Sequence, residues 1–250
     1  MPRKEIEMGR FGTRNFNGNQ YAQINDKSTG QTWGVMNAKQ QLKSHFLGAA
    51  VDTNFWTEVE TGDSTKAIAS SVLTYHLHVS AESEEAGLYG KDDKQWNIDK
   101  GLIFECRMAM HVTPTVGAEV FVGMTNDSYG AASNRVAAAD ELAIHMGFAF
   151  DGSNACVIYT DDAVADNNGI STGITVVNDA YHVFTIDATD VTSVKFYIDG
   201  VRVASTTTFS MANGTNVGFQ PMVLAQKNGA DAGLCDIYVD YIDIYQMAAL

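Results

Sequence analysis

Cysteine and proline are both scarce in this chain of 250 residues, which contains three of each. The cysteines, Cys106, Cys156 and Cys235, are odd in number, lie far apart and each sit in an apolar or alternating run. This pattern predicts buried free thiols rather than a disulfide framework. CxxC and HExxH spacings are also missing, and the six histidines are scattered. The sequence therefore predicts no metal site and no cofactor.

Long apolar runs and an excess of positive charge are missing as well. No stretch approaches the roughly 20 apolar residues that span a bilayer, so no membrane partner is predicted. Sixteen basic residues against thirty acidic ones give a net charge of −14, which repels phosphate backbones and argues against nucleic-acid binding. Residues 1–8 hold no apolar segment as long as a secretory signal needs, which predicts that the protein stays where it is made.

Charge is distributed unevenly along the chain. Residues 1–50 carry a net charge of +4 and residues 51–250 carry −18. The basic part is rich in Gly, Asn and Gln and buries too little to fold alone, yet it contains aromatic residues, which truly disordered tails lack. The sequence predicts an extended N-terminal arm, 1–48, with a short helix near 35–47, followed by one domain, 49–250. The arm's predicted partner-binding residues are basic or aromatic: Arg3, Lys4, Arg10, Phe11, Arg14, Phe16, Tyr21 and Trp33.

Apolar residues alternate with polar ones through most of the remaining chain. In 101–113 the even-numbered positions from Leu102 to Val112 are apolar, which predicts a strand with one buried side. In 194–203 the same alternation flanks Asp199-Gly200, a strong hairpin signal. Further short runs of this kind, for example 68–79 and 142–150, come without a sustained helical period. The sequence therefore predicts an all-β sandwich or jelly roll.

The run 237–246 changes phase part-way, because Ile237, Val239 and Tyr241 alternate and then Ile242 and Ile244 take the opposite parity. One extra residue there predicts a β-bulge. This run (VDYIDIY at 239–245), together with YHVFTI at 181–186 and VKFYIDGVRV at 194–203, resembles the C-terminal strands of the concanavalin A-like jelly rolls of lectins, laminin G-like modules and laminarinase-type glycosidases. The runs 101–108 and 218–227 are also similar to variants of this domain in tailed-phage structural proteins.

The resemblance implies a test for catalysis. Retaining glycosidases of this fold carry two carboxylates on one strand, which alternation points into one groove. The nearest candidates are Glu58-Val-Glu60, the acidic residues between 82 and 85, and Asp140-Glu141, and each is interpreted as a solvated acidic cluster. No GxSxG elbow or phosphate-binding loop is present either. The sequence therefore predicts no enzyme and no catalytic residue.

Two other roles remain open at the level of the sequence. A lectin could use Trp96, Tyr89 or Tyr129, which lie in turn-rich stretches, to stack on a sugar ring. Calcium, which sometimes accompanies this fold, could bind to Asp161, Asp162, Asp166 or Asp240.

The interpretation that we favour from the sequence is a non-enzymatic virion structural protein, a capsid decoration or cement protein of a tailed phage docked through its arm. The expected partners are the major capsid protein or other virion proteins, with further copies of the chain on the particle, and a glycan is a possible ligand. The expected location is the virion, after synthesis in the host cytoplasm. The alternative is a carbohydrate-binding lectin-like module or a laminarinase-type glycoside hydrolase.

Overall fold

The structure is a computed structural model. It describes residues 14–16, 19–21, 23–26, 31–34, 38–78, 82–113, 118–128, 144–214, 217–227 and 233–247, with side chains from residue 41 onward except those of 151 and 247. Apart from two 3₁₀ turns, Ile98–Lys100 and Ala212–Gly214, the regular structure of these residues is β-strand. None of their helices is long and apolar enough to cross a bilayer.

Nineteen strands follow one another in the described residues. In chain order they are β1 (Arg14–Phe16), β2 (Asn19–Tyr21), β3 (Gln23–Asp26), β4 (Gln31–Gly34), β5 (Ala38–His45), β6 (Thr57–Thr61), β7 (Thr65–Ala69), β8 (Val72–Leu77), β9 (Glu84–Tyr89), β10 (Leu102–Val112), β11 (Glu119–Thr125), β12 (His145–Asp151), β13 (Ala155–Asp161), β14 (Asp166–Thr175), β15 (His182–Ala188), β16 (Lys195–Ile198), β17 (Val201–Val203), β18 (Gln220–Lys227) and β19 (Cys235–Met247). Every pairing between them is antiparallel.

Two large sheets form a sandwich, which confirms the predicted all-β jelly roll. The eight-stranded sheet has the order β17-β16-β15-β10-β19-β8-β7, with β5 also paired to β19, and the seven-stranded sheet has the order β14-β13-β12-β11-β18-β9-β6. The predicted inward positions of β10 are all buried. Across the interior, the Phe148 ring of β12 packs against Phe184 of β15 and Phe196 of β16, with ring centroids 5.2 and 5.3 Å apart. Alternation thus gives each sheet an apolar inner side, and the two inner sides form the core.

Two hairpin turns differ in whether the local sequence predicts them. Asp199 and Gly200 both have positive φ, 51° and 74°, and join paired strands β16 and β17 as predicted. The predicted strand 68–79 is instead two strands, because Ser70 and Ser71 both adopt positive φ, 51° and 67°, and turn β7 back onto β8. A two-residue turn of this kind normally uses Asn or Gly, so the Ser-Ser pair gave no turn signal in the sequence.

The three cysteines are buried and unpaired, as the sequence predicts. Burial raises the pKa of the Cys156 and Cys235 thiols to about 12 and also raises the pKa of Cys106. All three thiols therefore stay protonated and behave as small apolar core residues.

The segment predicted to be a short helix near 35–47 is strand β5, so that expectation is wrong. Leu42 and Phe46 are buried while Lys43 and His45 are exposed, and Ser44 Oγ accepts a hydrogen bond from Trp56 Nε1 at 2.9 Å. This alternation fits a strand, and β5 is held by pairing with β19. Pairing between distant segments overrides local helix propensity here.

The predicted partner-binding residues of the arm fall into two groups. Arg3, Lys4, Arg10 and Phe11 lie outside the described residues. Arg14 and Phe16 lie in β1, Tyr21 in β2 and Trp33 in β4. β1 pairs with β2 and β3 with β4, each as a two-stranded sheet.

The predicted bulge in β19 is confirmed. Tyr241 is paired with Arg107 of β10 and Val239 with Met108, which leaves Asp240 as the extra residue. The bulge coincides with a change of neighbour on the other side of β19, from β8 (to Val239) to β5 (from Tyr241). Both halves of β19 therefore keep their apolar side chains inward, although the sequence changes parity.

A single carboxylate, Asp162, ties together two loops next to β13. It is fully buried, and its Oδ1 accepts hydrogen bonds from the backbone N–H groups of Val164 (3.1 Å) and Ala165 (2.7 Å). Its Oδ2 accepts from the backbone N and Nδ2 of Asn213, both at 3.0 Å. Desolvation favours the neutral acid, but these hydrogen bonds outweigh it and lower the pKa of Asp162.

Replacing Asp162 with alanine should lower the free energy of unfolding by about 2–4 kcal/mol near pH 7, because buried N–H groups lose their acceptor. A carboxylate whose pKa is lowered in the folded state stabilises above its unfolded value, near 3.9, and loses this effect as the pH falls through the folded value. Urea unfolding at pH 7, 5 and 3 should therefore show a difference between wild type and variant that shrinks only below about pH 4. An Asp190→Ala control, at an exposed loop carboxylate, should show a smaller loss, and equal losses would contradict the role of Asp162.

Candidate functional site

Two of the three aromatic residues proposed from the sequence as sugar platforms are buried. Trp96 is only 2% exposed and belongs to the core, where its backbone pairs with Phe219. Tyr89 lies in β9 and is buried, and Tyr129 lies outside the described residues. The suggestion that Trp96 stacks on a sugar ring is therefore wrong, because the turn-rich stretch around it folds back onto the core.

Three of the carboxylates suggested by the sequence are engaged in ion pairs. Glu58 and Glu60 lie on one side of β6, and both approach Lys66 Nζ, Glu60 at 3.3 Å. Glu58 also accepts a hydrogen bond from the buried Tyr75 hydroxyl at 3.1 Å. Glu84 is not in a polar loop but in β9, fully buried beside Lys227. The acidic pair 140–141 lies outside the described residues.

Carboxylate spacing on the seven-stranded sheet differs from the one-strand pattern of retaining glycosidases. As far as the structure describes them, its strands each place at most one carboxylate on the outer face. Between strands, the backbone of Glu119 in β11 is in register with that of Asp151 in β12. On the outer face of the seven-stranded sheet, the described strands therefore lack the pair of carboxylates on one strand that the resemblance implies for catalysis.

The outer face of the seven-stranded sheet is filled with buried apolar side chains. Phe121, Met222 and Leu224 are at most 1% exposed and form a small cluster separate from the main core. The Phe121 ring lies over Gly147, where an added Cβ would come within 2.5 Å of it. Glycine at 147 thus lets an aromatic ring lie flat on the sheet. Tyr159 is the partly exposed aromatic residue beside this cluster.

The outer face of the eight-stranded sheet is very different. We call it the tyrosine face, and define it by four half-buried tyrosines and the charged groups among them: Tyr181, Tyr238, Tyr241, Tyr245, Glu105, Arg107, Asp240 and Asp243. Three of the tyrosines belong to β19, whose bulge keeps Tyr238 and Tyr241 on the same side of the sheet.

Contacts around the bulge hold this face in place. Arg107 pairs with Asp240, and its guanidinium lies over the Tyr181 ring, 4.5 Å from the centroid. The Tyr241 hydroxyl donates to Glu105 Oε1 at 2.8 Å, and the Thr185 hydroxyl donates to Oε2 at 3.3 Å. Burial, and then the hydrogen bond to Glu105, raise the pKa of Tyr241, so its hydroxyl stays protonated. The face therefore combines fixed aromatic rings with charged donors and acceptors.

Beside the bulge, Asp236 is held by two partners on the same face. Its Oδ1 lies 2.5 Å from His76 Nδ1, and its Oδ2 accepts a hydrogen bond from the Tyr238 hydroxyl at 3.1 Å. Both oxygens of this buried carboxylate are thus satisfied within the protein.

The aspartates suggested as calcium ligands are occupied by protein groups. Asp162 accepts N–H groups, Asp240 pairs with Arg107, and Asp161 accepts from the Ala163 backbone at 2.6 Å. Asp166 accepts from Asn168 Nδ2 at 2.7 Å. Within the described part of the chain, no group of three or more His, Cys, Asp or Glu side chains is arranged to hold a metal ion.

Sequence reasoning did not find the tyrosine face. From the sequence, Tyr238, Tyr241 and Tyr245 belong only to the phase-shifted run 237–246, and Glu105 and Arg107 only to the odd-numbered, polar positions of 101–113. The available signal was the recurrence of tyrosine at outward positions of the phase-shifted run 237–246. Its meaning depends on Arg107 and Tyr181, which only the sheet brings together.

Comparisons with known proteins rest on structure. No family model matches the sequence, and no curated protein is similar to it. The fold is similar to that of the Emp47p carbohydrate recognition domain (9% identity, 85% of this chain and 97% of that chain, TM-score 0.59). It is also similar to an endo-β-1,3-glucanase from Pyrococcus furiosus (12%, 95% and 98%, 0.56) and to a laminarinase from Rhodothermus marinus (13%, 83% and 97%, 0.57).

The fold is a concanavalin A-like jelly roll. This confirms the broad resemblance seen in the sequence. The predicted capsid decoration protein of a tailed phage, docked through its arm, is contradicted: these neighbours are a carbohydrate recognition domain and two β-glucanases, and they favour the alternative. These comparisons give no support to the finer resemblance of 101–108 and 218–227 to tailed-phage structural proteins. The capsid partners and virion location expected with that role stay predictions.

Proposed function

We propose that the protein is a non-catalytic, lectin-like carbohydrate-binding protein whose ligand lies on the tyrosine face. The observation that carries this proposal is the set of half-buried tyrosine rings fixed beside the Arg107–Asp240 pair and Glu105. A pyranose has an apolar C–H face and a rim of hydroxyls. Aromatic rings match the first, and charged donors and acceptors match the second.

The rigidity of the tyrosine rings supports the tyrosine face as the binding surface. Tyr241 and Tyr181 are each held by a polar contact or a stacked guanidinium, so little side-chain freedom is lost when a ligand packs on them. The outer face of the other sheet is less suited, because Phe121, Met222 and Leu224 are buried there. The folds of the Emp47p domain and the two β-glucanases are consistent with a saccharide ligand.

We do not include hydrolysis in the proposed function, because of where the carboxylates lie. A retaining glycosidase needs two carboxyl groups about 5–5.5 Å apart with different protonation states. Glu58 and Glu60 share one lysine at the sheet edge. Release of reducing ends from a β-1,3-glucan above background, abolished by Glu119→Gln, would instead assign catalysis to the β11–β12 register pair.

Replacing either Tyr181 or Tyr241 with alanine should weaken saccharide binding about tenfold or more, the effect expected for an aromatic anchor at the centre of an interface. The measurement is a glycan array that includes β-1,3-glucan oligosaccharides, followed by titration calorimetry of the saccharide that wild type prefers.

Tyr159→Ala is the matched control, since Tyr159 is a half-buried tyrosine on the outer face of the opposite sheet. It should bind as wild type does. Binding lost only in Tyr159→Ala would place the ligand on the seven-stranded sheet, and a wild-type protein that binds no saccharide would refute the proposed function.

A further inference from the structure

Asp243 differs from the other carboxylates of the tyrosine face because one of its oxygens is unsatisfied. Its side chain is 9% exposed, and it lies in β19 between Glu105 of β10 and Lys43 of β5. Oδ2 accepts a hydrogen bond from the Tyr245 hydroxyl at 3.0 Å and lies 3.6 Å from Lys43 Nζ. Oδ1 is buried and accepts no hydrogen bond. A buried carboxylate oxygen without a donor is costly, so a donor that reaches it is bound more strongly.

The half-exposed side chain of His45 approaches Oδ1 without bonding to it. His45 Nε2 is 3.9 Å from Oδ1, which is beyond hydrogen-bond distance, and the His45 side chain is 47% exposed. Its ring stands 5.5 Å from the Tyr241 ring, in a tilted arrangement. Rotation of His45 toward solvent would therefore open Oδ1 without breaking a hydrogen bond to Asp243.

The groups around this position form an acceptor and a donor side by side. Lys43 supplies the donor, and its Nζ lies 5.6 Å from the centroid of the Tyr245 ring. The hydrogen bond to Tyr245, and then the charge of Asp243, raise the pKa of Lys43 despite partial desolvation, so it stays charged. Glu105 is already bound by the Tyr241 hydroxyl. Asp243 Oδ1, an acceptor that receives no hydrogen bond, thus lies beside the Lys43 ammonium, and Tyr241 and Tyr245 flank the two groups. One acceptor beside one donor matches two adjacent hydroxyls of a sugar ring.

We infer that Asp243 Oδ1 accepts a hydrogen bond from one hydroxyl of a bound pyranose and that Lys43 donates to the neighbouring hydroxyl. This inference rests on the proposed function and adds the class of ligand. The ligand is a neutral saccharide with two adjacent free hydroxyls. An acidic saccharide is disfavoured because Asp243 and Glu105 are both negative at this position, while Lys43 is one cation.

The test compares two carboxylates of one strand. Asp243→Asn keeps the shape but weakens the acceptor and should reduce affinity for laminarihexaose, or for the array saccharide that wild type prefers, at least tenfold. Asp236→Asn is the matched control, because Asp236 is also buried in β19 on this face but has both oxygens satisfied. It should change affinity less than twofold. Sulfated or carboxylated forms of the same saccharide should bind more weakly to wild type.

A second variant distinguishes a direct loss of binding from a loss caused by misfolding. Lys43 is half exposed, so Lys43→Met should fold normally by thermal unfolding and should weaken binding about threefold or more. If Asp243→Asn and Lys43→Met bind as wild type while Tyr181→Ala does not, the inference fails and the proposed function stands. Equal losses in Asp243→Asn and Asp236→Asn would also overturn it. If wild type binds no saccharide, both fail together.

Discussion

Replacing Lys227 with methionine should lower the free energy of unfolding by about 3–5 kcal/mol. The Lys227 ammonium has no solvent exposure, donates to the backbone carbonyl of His78 and lies 3.6 Å from Glu84 Oε1, whose side chain is equally buried. Glu84 Oε2 in turn accepts the His78 N–H at 2.5 Å. Methionine would fill much the same volume but leave a buried carboxylate without its cation.

Urea unfolding of two further variants would show that charge burial is the cause. Lys66→Met removes a partly exposed ion pair with Glu58 and Glu60 and should cost less than about 1 kcal/mol. The double variant Lys227→Met/Glu84→Gln should recover much of the loss, since it leaves no unpaired charge in the interior. A Lys227→Met protein as stable as Lys66→Met would contradict this account.

Replacing Trp96 with alanine should cost about 3–5 kcal/mol of unfolding free energy, the range for removing a large aromatic side chain from a core. Trp96 is 2% exposed, and its backbone exchanges hydrogen bonds with Phe219 at 3.2 and 2.6 Å. The neighbouring Gly218 packs so closely on the Lys94 carbonyl that a Cβ would come within 1.8 Å of it. The segment is therefore fixed against the core from both sides.

Chemical unfolding together with saccharide titration separates the two roles that have been considered for Trp96. Phe55→Ala, at an aromatic side chain that is 46% exposed, should cost less than about 1 kcal/mol and serves as the comparison. A Trp96→Ala protein of wild-type stability that had lost saccharide binding would restore the interpretation taken from the sequence. We expect the opposite: lower stability and, where folded, normal binding.

Predictability from the sequence depended on whether the deciding interaction was local. The Asp199-Gly200 hairpin, the inward positions of β10 and the presence of a bulge in β19 followed from alternation and turn chemistry within a few residues. The position of the bulge at Asp240, which turns Tyr241 outward, did not. Strand β5 did not, because its structure is set by pairing with β19, about two hundred residues further along the chain. Without knowledge of that partner strand, local helix propensity was the only available guide to this segment.

The candidate site was hidden for the same reason. The sequence around Glu84 indicates a polar loop, and only the register with Lys227 shows that Glu84 lies in a strand. Asp243 and Asp236 occupy equivalent outward positions of one strand, and only their neighbours on β5 and β8 distinguish an open acceptor from a satisfied one. Sequence patterns give the side of a sheet on which a residue lies, but not the strand beside it.

The position of β19 in the eight-stranded sheet bears on how the chain folds during synthesis. This strand lies between β10 on one side and β8 and β5 on the other, and it is made after all three of them. Until residues 235–247 leave the ribosome, the facing edges of those strands have no partner, and the apolar sides of β8 and β10 remain poorly covered. The nascent chain therefore exposes unpaired strand edges for most of its translation, a period in which chaperones would bind it and in which edge-to-edge association competes with folding.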